Sequence, residues 1–238
     1  MRKFTLLIAS LFITMGAMAQ TELDLTQKFN DATYTYHSGT DGGWYGKCVT
    51  NTTPVITVEC GNLTNNHIGY STKDSYRRLW FQAGDSYDFT ISEGYAITGY
   101  TVVTQSTTVS NKSQFKYTTA DGMSTSPTQE TSNQTITVSG LHTNTITFDL
   151  REHTVNSTHG ILIWSIIVNY TDLASEEDII NAKSKITEGV GYPKMTSEEY
   201  VTLNSLSYGT STIAQVNEAV NNYLACTNVE MPVDGKAY

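Results

Sequence analysis

Basic residues are scarce in this chain of 238 residues. It contains 14 Lys and Arg against 23 Asp and Glu, which gives a formal charge of −9. An acidic protein repels phosphate backbones, so nucleic-acid binding would need a local basic patch. Arg77-Arg78 is the one basic cluster after the N-terminus, and paired strand arginines more often contact neighbouring acids. We therefore expect no nucleic-acid partner.

Long apolar runs are also lacking, with one exception at the N-terminus. Arg2 and Lys3 precede the apolar run Phe4–Met15, and Ala17-Met18-Ala19 follows it. This order is typical of a signal peptide, cleaved here after Ala19, and the run is shorter than the roughly twenty residues of a spanning helix. The sequence predicts a secreted, periplasmic or cell-surface protein without membrane insertion, with a mature formal charge of −11.

Cysteine is limited to Cys48, Cys60 and Cys226. Export would permit a Cys48–Cys60 disulfide. However, a tight turn at 51–54 would pair Cys48 with Thr57 and leave Cys60 about 10 Å further along the strand. Since a disulfide needs Cα atoms within about 7 Å, this register disfavours the bond. Cys226 is expected to be a lone thiol in the helical region.

Recognisable catalytic motifs are absent. The chain has no phosphate loop, no His-Glu-x-x-His segment and no Ser-His-Asp order. A glycosidase needs two carboxyl groups about 5 to 9 Å apart, and Glu59, Asp85, Asp88 and Glu93 are available. Acids on alternating strands usually face solvent, so we expect no enzyme. A self-contained glycoside hydrolase is the less favoured alternative.

Candidate metal ligands are also few. His153 and His159 flank a short turn, and Asp41 lies in a glycine-rich turn where it could contribute to a structural calcium site. Calcium takes six to eight oxygen ligands, and one carboxylate is far from that number. The sequence therefore predicts no cofactor, with a structural calcium as a weak alternative.

Short runs of β-branched and aromatic residues fill the chain from Leu23 to about Asp172. Tyr87, Phe89 and Ile91 alternate with polar residues, as in a strand that has one face on a core. Eight such runs without helical periodicity predict a jelly-roll-like antiparallel β-sandwich over residues 20–172. The runs are 55–58, 78–81, 87–91, 97–103, 114–117, 135–138, 145–150 and 161–170, and the last, as the most apolar, is expected to be central.

After Leu173 the apolar residues no longer alternate as in a strand but recur with the spacing of a helix. Ser175 with Asp178, Thr196 with Glu199 and Thr212 with Gln215 have the spacing of helix N-terminal capping boxes. They predict a small three-helix bundle over 173–226, followed at 227–238 by the start of a truncated further module. The expected apolar faces are Ile179, Ala182 and Ile186, then Tyr200, Leu203 and Leu206, then Ile213, Val216, Val220 and Leu224.

Aromatic residues in loops indicate a possible sugar-binding face. Sugars stack their C–H faces on aromatic rings while polar side chains bind the hydroxyl groups. Trp44 and Tyr45 follow Asp41 in a glycine-rich segment, and Tyr70 with Arg77 forms a second candidate. For Trp44 the alternative is a structural plug at the open end of the sandwich.

Two further tryptophans, Trp80 and Trp164, lie inside predicted strands. Large aromatic side chains in strands usually contribute to a core. We therefore expect both to be buried between the sheets.

Two segments of the β region and two of the tail resemble a known family. Residues 87–100 (Tyr-Asp-Phe-Thr-Ile-Ser-Glu-Gly-Tyr-Ala-Ile-Thr-Gly-Tyr) and 135–141 (Thr-Ile-Thr-Val-Ser-Gly-Leu) are similar to the N-terminal β modules of secreted Bacteroidetes glycosidases of the exo-sialidase type. Residues 189–193 (Gly-Val-Gly-Tyr-Pro) and 231–238 (Met-Pro-Val-Asp-Gly-Lys-Ala-Tyr) resemble the segment that leads to their catalytic propeller.

The active-site motifs of that family are missing. No Arg-Ile-Pro occurs, and Ser38 lies three residues before Asp41 instead of the two that an Asp-box requires. The resemblance therefore implies the non-catalytic accessory region of a glycan-degrading enzyme. Together with the aromatic loops, the sequence predicts a monomer that binds glycans. A structural spacer or adhesion module without a ligand is the alternative from another functional class.

Overall fold

The computed structural model describes residues 21–35, 44–61, 67–71, 78–106, 114–130, 132–152, 160–188 and 198–225. It divides into a β unit, Gln20–Thr171, and a helical unit that begins at Asp172. The predicted signal peptide, Cys226 and the predicted start of a further module at 227–238 lie outside the described residues.

The β unit consists of two antiparallel sheets. The described strands are β1 (Thr21–Asp24), β2 (Thr33–Thr35), β3 (Trp44–Tyr45), β4 (Lys47–Val49), β5 (Ile56–Cys60), β6 (Ile68–Ser71), β7 (Arg78–Gln82), β8 (Ser86–Ile91), β9 (Tyr95–Ser106), β10 (Lys116–Thr119), β11 (Gly122–Thr125), β12 (Gln134–Thr143), β13 (Thr145–Asp149) and β14 (Gly160–Asp172). Each predicted run overlaps a strand, and a short 3-10 helix occupies Lys28–Asn30.

Both sheets draw strands from the whole length of the β unit. Sheet A has the order β12-β9-β14-β7-β6-β3, with β1 also paired to β14, and sheet B has the order β11-β10-β13-β8-β5-β4-β2. From β7 to β14 the chain passes repeatedly from one sheet to the other, as in a jelly roll. The predicted β-sandwich is confirmed, and β14 has the central place that its composition indicates.

Strand alternation builds the core between the sheets. On β8, Tyr87, Phe89 and Ile91 are buried while Asp88 and Thr90 are half-buried on the other face, as the pattern predicts. The hydroxyl groups of the buried tyrosines have acceptors: Tyr87 donates to the carbonyl of Gln82 at 2.6 Å and Tyr100 to that of Thr118 at 2.8 Å. Burial also raises the pKa of Tyr100 above its ordinary range.

The hairpin that contains the first cysteine is one residue longer than predicted. Cys48 pairs with Val58, not with Thr57, because the loop closes through a hydrogen bond from the Thr50 amide to the Ile56 carbonyl at 2.9 Å. Cys60 donates its backbone N–H to the carbonyl of Gly46. The two cysteines are therefore diagonal neighbours on the core face of the β4–β5 pair, and both are free thiols.

We expect Cys48 and Cys60 to resist alkylation in the native protein. Burial raises the pKa of the Cys60 thiol to about 12 and that of Cys48 above its ordinary range, so little of the reactive thiolate exists at neutral pH. Iodoacetamide labelling with peptide mass spectrometry should find both residues unmodified in buffer and modified in denaturant. Labelling of either in buffer, or a peptide joined by a Cys48–Cys60 disulfide, would contradict this.

The helical unit contains three described helices, α1 (Glu176–Glu188), α2 (Glu198–Ser205) and α3 (Ile213–Ala225). The predicted capping boxes at Ser175 and Thr212 are confirmed, and Thr196 of the third lies outside the described residues. The Asp178 amide donates to Ser175 Oγ at 3.1 Å, and the Gln215 amide donates to Thr212 Oγ1 at 3.2 Å. In the described ranges, every helix is too short or too polar to cross a bilayer.

The apolar faces of the helices are as predicted, except at the end of α3. Val216 is buried, and Ile213 and Val220 pack against the core of the unit. The prediction for Leu224 is wrong, because its side chain is 57% exposed while Tyr223 is 6% exposed. Tyr223 lies seven residues after Val216, two full helical turns on the same face.

Replacing these two neighbours with alanine should separate their roles. We expect Tyr223→Ala to lower the free energy of unfolding of the helical unit by about 3 kcal/mol, because it empties a buried site. Leu224→Ala, as a matched exposed control, should change it by less than about 0.5 kcal/mol. Urea unfolding followed by far-UV circular dichroism measures both values. Equal losses would show that α3 packs through a different face.

Candidate functional site

The three tryptophans of the chain lie on one surface, the outer face of sheet A. On β7, Leu79 and Phe81 are buried in the core, so Trp80 between them points away from it. Trp164 follows the buried Ile163 on β14 and is likewise half-buried on the outer side. The prediction that Trp80 and Trp164 belong to the core is therefore wrong. We call this surface, with Trp44, Trp80 and Trp164, the tryptophan face.

Strand register aligns part of this surface into a row. Trp44 on β3 is opposite Gly69 on β6, and Gly69 is opposite Trp80 on β7. Trp80 is in turn opposite Leu162 on β14. Since neighbouring strands are about 4.8 Å apart, the row runs across four strands for about 14 Å, perpendicular to their direction.

Gly69 creates the space that brings the two rings of the row together. A Cβ atom at this position would lie 2.9 Å from Cζ3 of Trp44, so the indole occupies the volume that a side chain would fill. The ring of Trp44 is thereby placed beside that of Trp80, with 4.8 Å between the centroids and an angle of 54° between the planes. Such tilted pairs are favourable contacts between aromatic rings.

The tryptophan face also contains hydrogen bonds between polar, uncharged side chains. Trp164 donates its indole N–H to Gln105 Oε1 at 2.9 Å, which fixes the orientation of the ring. Thr101 and Thr137 are joined through their hydroxyl oxygens at 3.2 Å. Nε1 of Trp80 is buried and has no hydrogen-bond partner in the described parts of the chain. Trp80 thus contributes its ring, not its N–H group, to the surface.

Of the five predicted ligand-binding residues, only Trp44 is placed on this face by the described side chains. Tyr45 is opposite Ile68 on the core side, where it contacts Tyr34 with 4.6 Å between ring centroids. The backbone of Tyr70 lies in β6 opposite Leu79. Asp41 and Arg77 lie outside the described residues. Trp44 and Tyr45 therefore do not form one stacking surface.

The candidate acids lie on or near sheet B. Glu59 and Asp88 are cross-strand partners on its outer face, where Glu59 is 3.4 Å from Lys47 Nζ and Asp88 accepts a hydrogen bond from Thr147 Oγ1 at 2.6 Å. Asp85 is 2% exposed, which differs from the solvent-facing position expected for it. Its Oδ2 lies 3.4 Å from Nδ1 of His67, without hydrogen-bond geometry.

The described side chains do not form a metal centre. Within the described ranges, no three His, Cys, Asp or Glu side chains are placed to hold one ion. Asp41, His153 and His159, which carried the metal hypotheses, lie outside those ranges.

Comparisons with known proteins return structural likenesses alone. No family model matches the chain, and no curated protein matches it. A point mutant of the family 29 carbohydrate-binding module CBM29-2 is similar at 12% identity and a TM-score of 0.30, over 64% of this chain and 87% of that one.

Two larger structures are also similar. A family two carbohydrate esterase from Cellvibrio japonicus has 15% identity and a TM-score of 0.30 over 49% of this chain, which spans 35% of the esterase. The CBM51-2 and INT domains of Clostridium perfringens ZmpB, solved with GlcNAc, have 13% identity and a TM-score of 0.34 over 85% of this chain and 44% of that one. These descriptions belong to those proteins.

Filling the space at Gly69 should move the ring of Trp44 without unfolding the sandwich. In Gly69→Ala the new methyl group would meet the far edge of the indole, and a side chain can turn away at small cost. We expect an altered near-UV circular dichroism signal from the Trp44–Trp80 pair, with a change in unfolding free energy below about 1 kcal/mol. Thr137→Ala, on the same face but without an aromatic neighbour in the row, is the control. Identical spectra for wild type and Gly69→Ala would contradict the placement of Trp44.

Proposed function

We propose that the β unit binds carbohydrate through the tryptophan face and that the chain is a non-catalytic accessory region of a secreted glycan-degrading protein. The observation that carries the proposal is the pairing of Trp44 and Trp80 on the outer face of sheet A. Large aromatic side chains normally contribute to cores. Here the register places them outside a core that is complete without them.

The chemistry of this face suits a sugar chain. The rings of Trp44 and Trp80 offer apolar surface for stacking against C–H groups, and Leu162 extends that surface across the sheet. Gln105, which is bonded to Trp164, can exchange hydrogen bonds with hydroxyl groups. Because Trp164 and Gln105 hold each other at 2.9 Å, part of the surface is fixed before a ligand arrives.

The positions of the acids favour binding over hydrolysis. Glu59 and Asp88 lie on sheet B, on the opposite side of the sandwich from the tryptophans. Lys47 and Thr147 already contact their carboxylate groups. A glycan on the tryptophan face would therefore be remote from these two carboxyl groups.

The resemblance to exo-sialidase-type proteins of Bacteroidetes gives this binding a context. It suggests that the β unit serves a glycan-degrading enzyme outside the cell, after removal of residues 1–19. A monomer that holds its enzyme close to a polymeric substrate would raise the local substrate concentration.

Adjacent residues of β3 provide the test. We expect Trp44→Ala to weaken binding to the glycan that scores highest for the wild type on a glycan array by at least about tenfold, roughly 1.4 kcal/mol. Tyr45→Ala, the control on the core side, should lower the free energy of unfolding by about 2 kcal/mol and leave the affinity of the folded protein unchanged. Titration calorimetry gives the affinities, and circular dichroism confirms folding.

Two outcomes would overturn the proposal. A wild-type protein that is folded and binds no glycan on the array would be a spacer or adhesion module. Release of reducing sugar from the bound glycan would instead identify an enzyme.

A further inference from the structure

A polar pocket of about 370 Å³ lies at the edge of sheet B, away from the tryptophan face. Its volume is within the range of about 300 to 1,000 Å³ that is typical of small-molecule sites. The ring of Phe115, which is 2% exposed, contributes to the lining. The polar groups of the lining come from Gln114, Lys116, Thr125, Thr128, Asp149 and Glu152.

Strand pairing assembles one wall of the pocket from distant parts of the chain. Lys116 on β10 is opposite Thr125 on β11 and, on its other side, opposite Asp149 on β13. These three side chains therefore form one row across three strands. Because the row is part of the sheet, its spacing does not depend on a ligand.

A second wall is the segment that follows β11, and a buried amide holds it in place. Gln129 is 0% exposed, its Oε1 accepts a hydrogen bond from Thr104 Oγ1 at 2.6 Å, and its Nε2 donates to the carbonyl of Pro127 at 3.2 Å. Gln114 Nε2 closes the wall by donating to Thr128 Oγ1 at 2.9 Å. The pocket is thus preformed by interactions within the protein.

The charged groups at the pocket are paired with each other. Lys116 Nζ lies 2.7 Å from Glu152 Oε1, and Arg151 Nε donates to Asp149 Oδ1 at 2.9 Å. The hydrogen bonds from Arg151 hold the pKa of Asp149 below its ordinary value, so this carboxylate is ionised at neutral pH. Arg151 does not line the pocket, but together with it the three charged lining groups, Lys116, Asp149 and Glu152, form two ion pairs without net charge.

We propose that this pocket is a second carbohydrate site, which takes a single neutral sugar residue. A charged ligand would compete with a partner that one of the two ion pairs already has, whereas hydroxyl groups can bind to paired ions without displacing either partner. Each hydroxyl is both donor and acceptor. The ammonium group, the carboxylates, the amide of Gln114 and two threonine hydroxyls match a ligand that carries several hydroxyls in a small volume.

The two sites share no residue, so they can be tested separately in the full chain. The probes are free glucose, galactose, mannose and N-acetylglucosamine, with glucuronic acid and glucosamine as charged counterparts. We expect at least one neutral sugar to shift the NMR signals of the Gln114 side-chain amide and of the Lys116 and Thr125 backbone amides. Glucuronic acid and glucosamine should each bind at least about tenfold more weakly than that sugar.

Two tryptophan substitutions on β11 form a matched pair. Thr125→Trp should occlude the pocket and remove the shifts. Met123→Trp replaces a side chain that is 46% exposed on the same strand, outside the pocket lining, and should leave them unchanged. Thermal unfolding confirms that both variants are folded. Shifts that persist in Thr125→Trp would overturn the assignment of the site.

The remaining outcomes separate this inference from the function proposed for the tryptophan face. If no probe shifts the pocket signals while binding to a glycan still depends on Trp44, the pocket proposal fails alone. If the pocket signals shift in wild type and in Trp44→Ala while the array shows no dependence on Trp44, the pocket proposal stands and the tryptophan face fails. A preference for glucuronic acid or glucosamine would overturn the inference of a neutral ligand.

Discussion

Phe148 contacts four aromatic rings between the two sheets, and this cluster joins strands of sheet A to strands of sheet B. Its centroid lies 5.5 Å from that of Phe89, 5.6 Å from Phe115, 5.8 Å from Tyr100 and 6.2 Å from Phe81. Phe81 and Tyr100 belong to sheet A and Phe89 to sheet B. Because side chains alternate along a strand, burying Phe81 sends Trp80 to the outer face. The proposed binding surface is thus a consequence of how the core is packed.

Much of this arrangement can be predicted from the chain itself, because alternation and capping are local signals. The strand at Tyr87–Ile91 and the helix that starts after Ser175 follow from patterns within a few residues. The tryptophans follow their position in the strand and not the usual burial of their residue type. Leu79 and Phe81 cannot share a face with Trp80 in a regular strand, and the same rule separates Trp44 from Tyr45.

Other features depend on pairings that no local pattern contains. The register of Cys48 is set by how the loop before Ile56 closes, and one additional residue in that loop changes its partner. The pocket joins Gln114 and Thr128 to Asp149, which belong to different strands and loops. The place of Leu162 in the row cannot be predicted locally either, because it depends on the pairing of β7 with β14.

The direction of the row limits the shape of a ligand that could follow it. Neighbouring strands in a sheet are rotated by about 20 to 25°, so the surface along a path across four strands twists by about 60 to 75° from end to end. The angle of 54° between the planes of Trp44 and Trp80 shows that the rings are not coplanar. A flat, crystalline polysaccharide could lie against one of these rings at a time. A single flexible chain can turn with the sheet and contact both, so the twist of the strands itself would favour dissolved or amorphous glycan over ordered fibre.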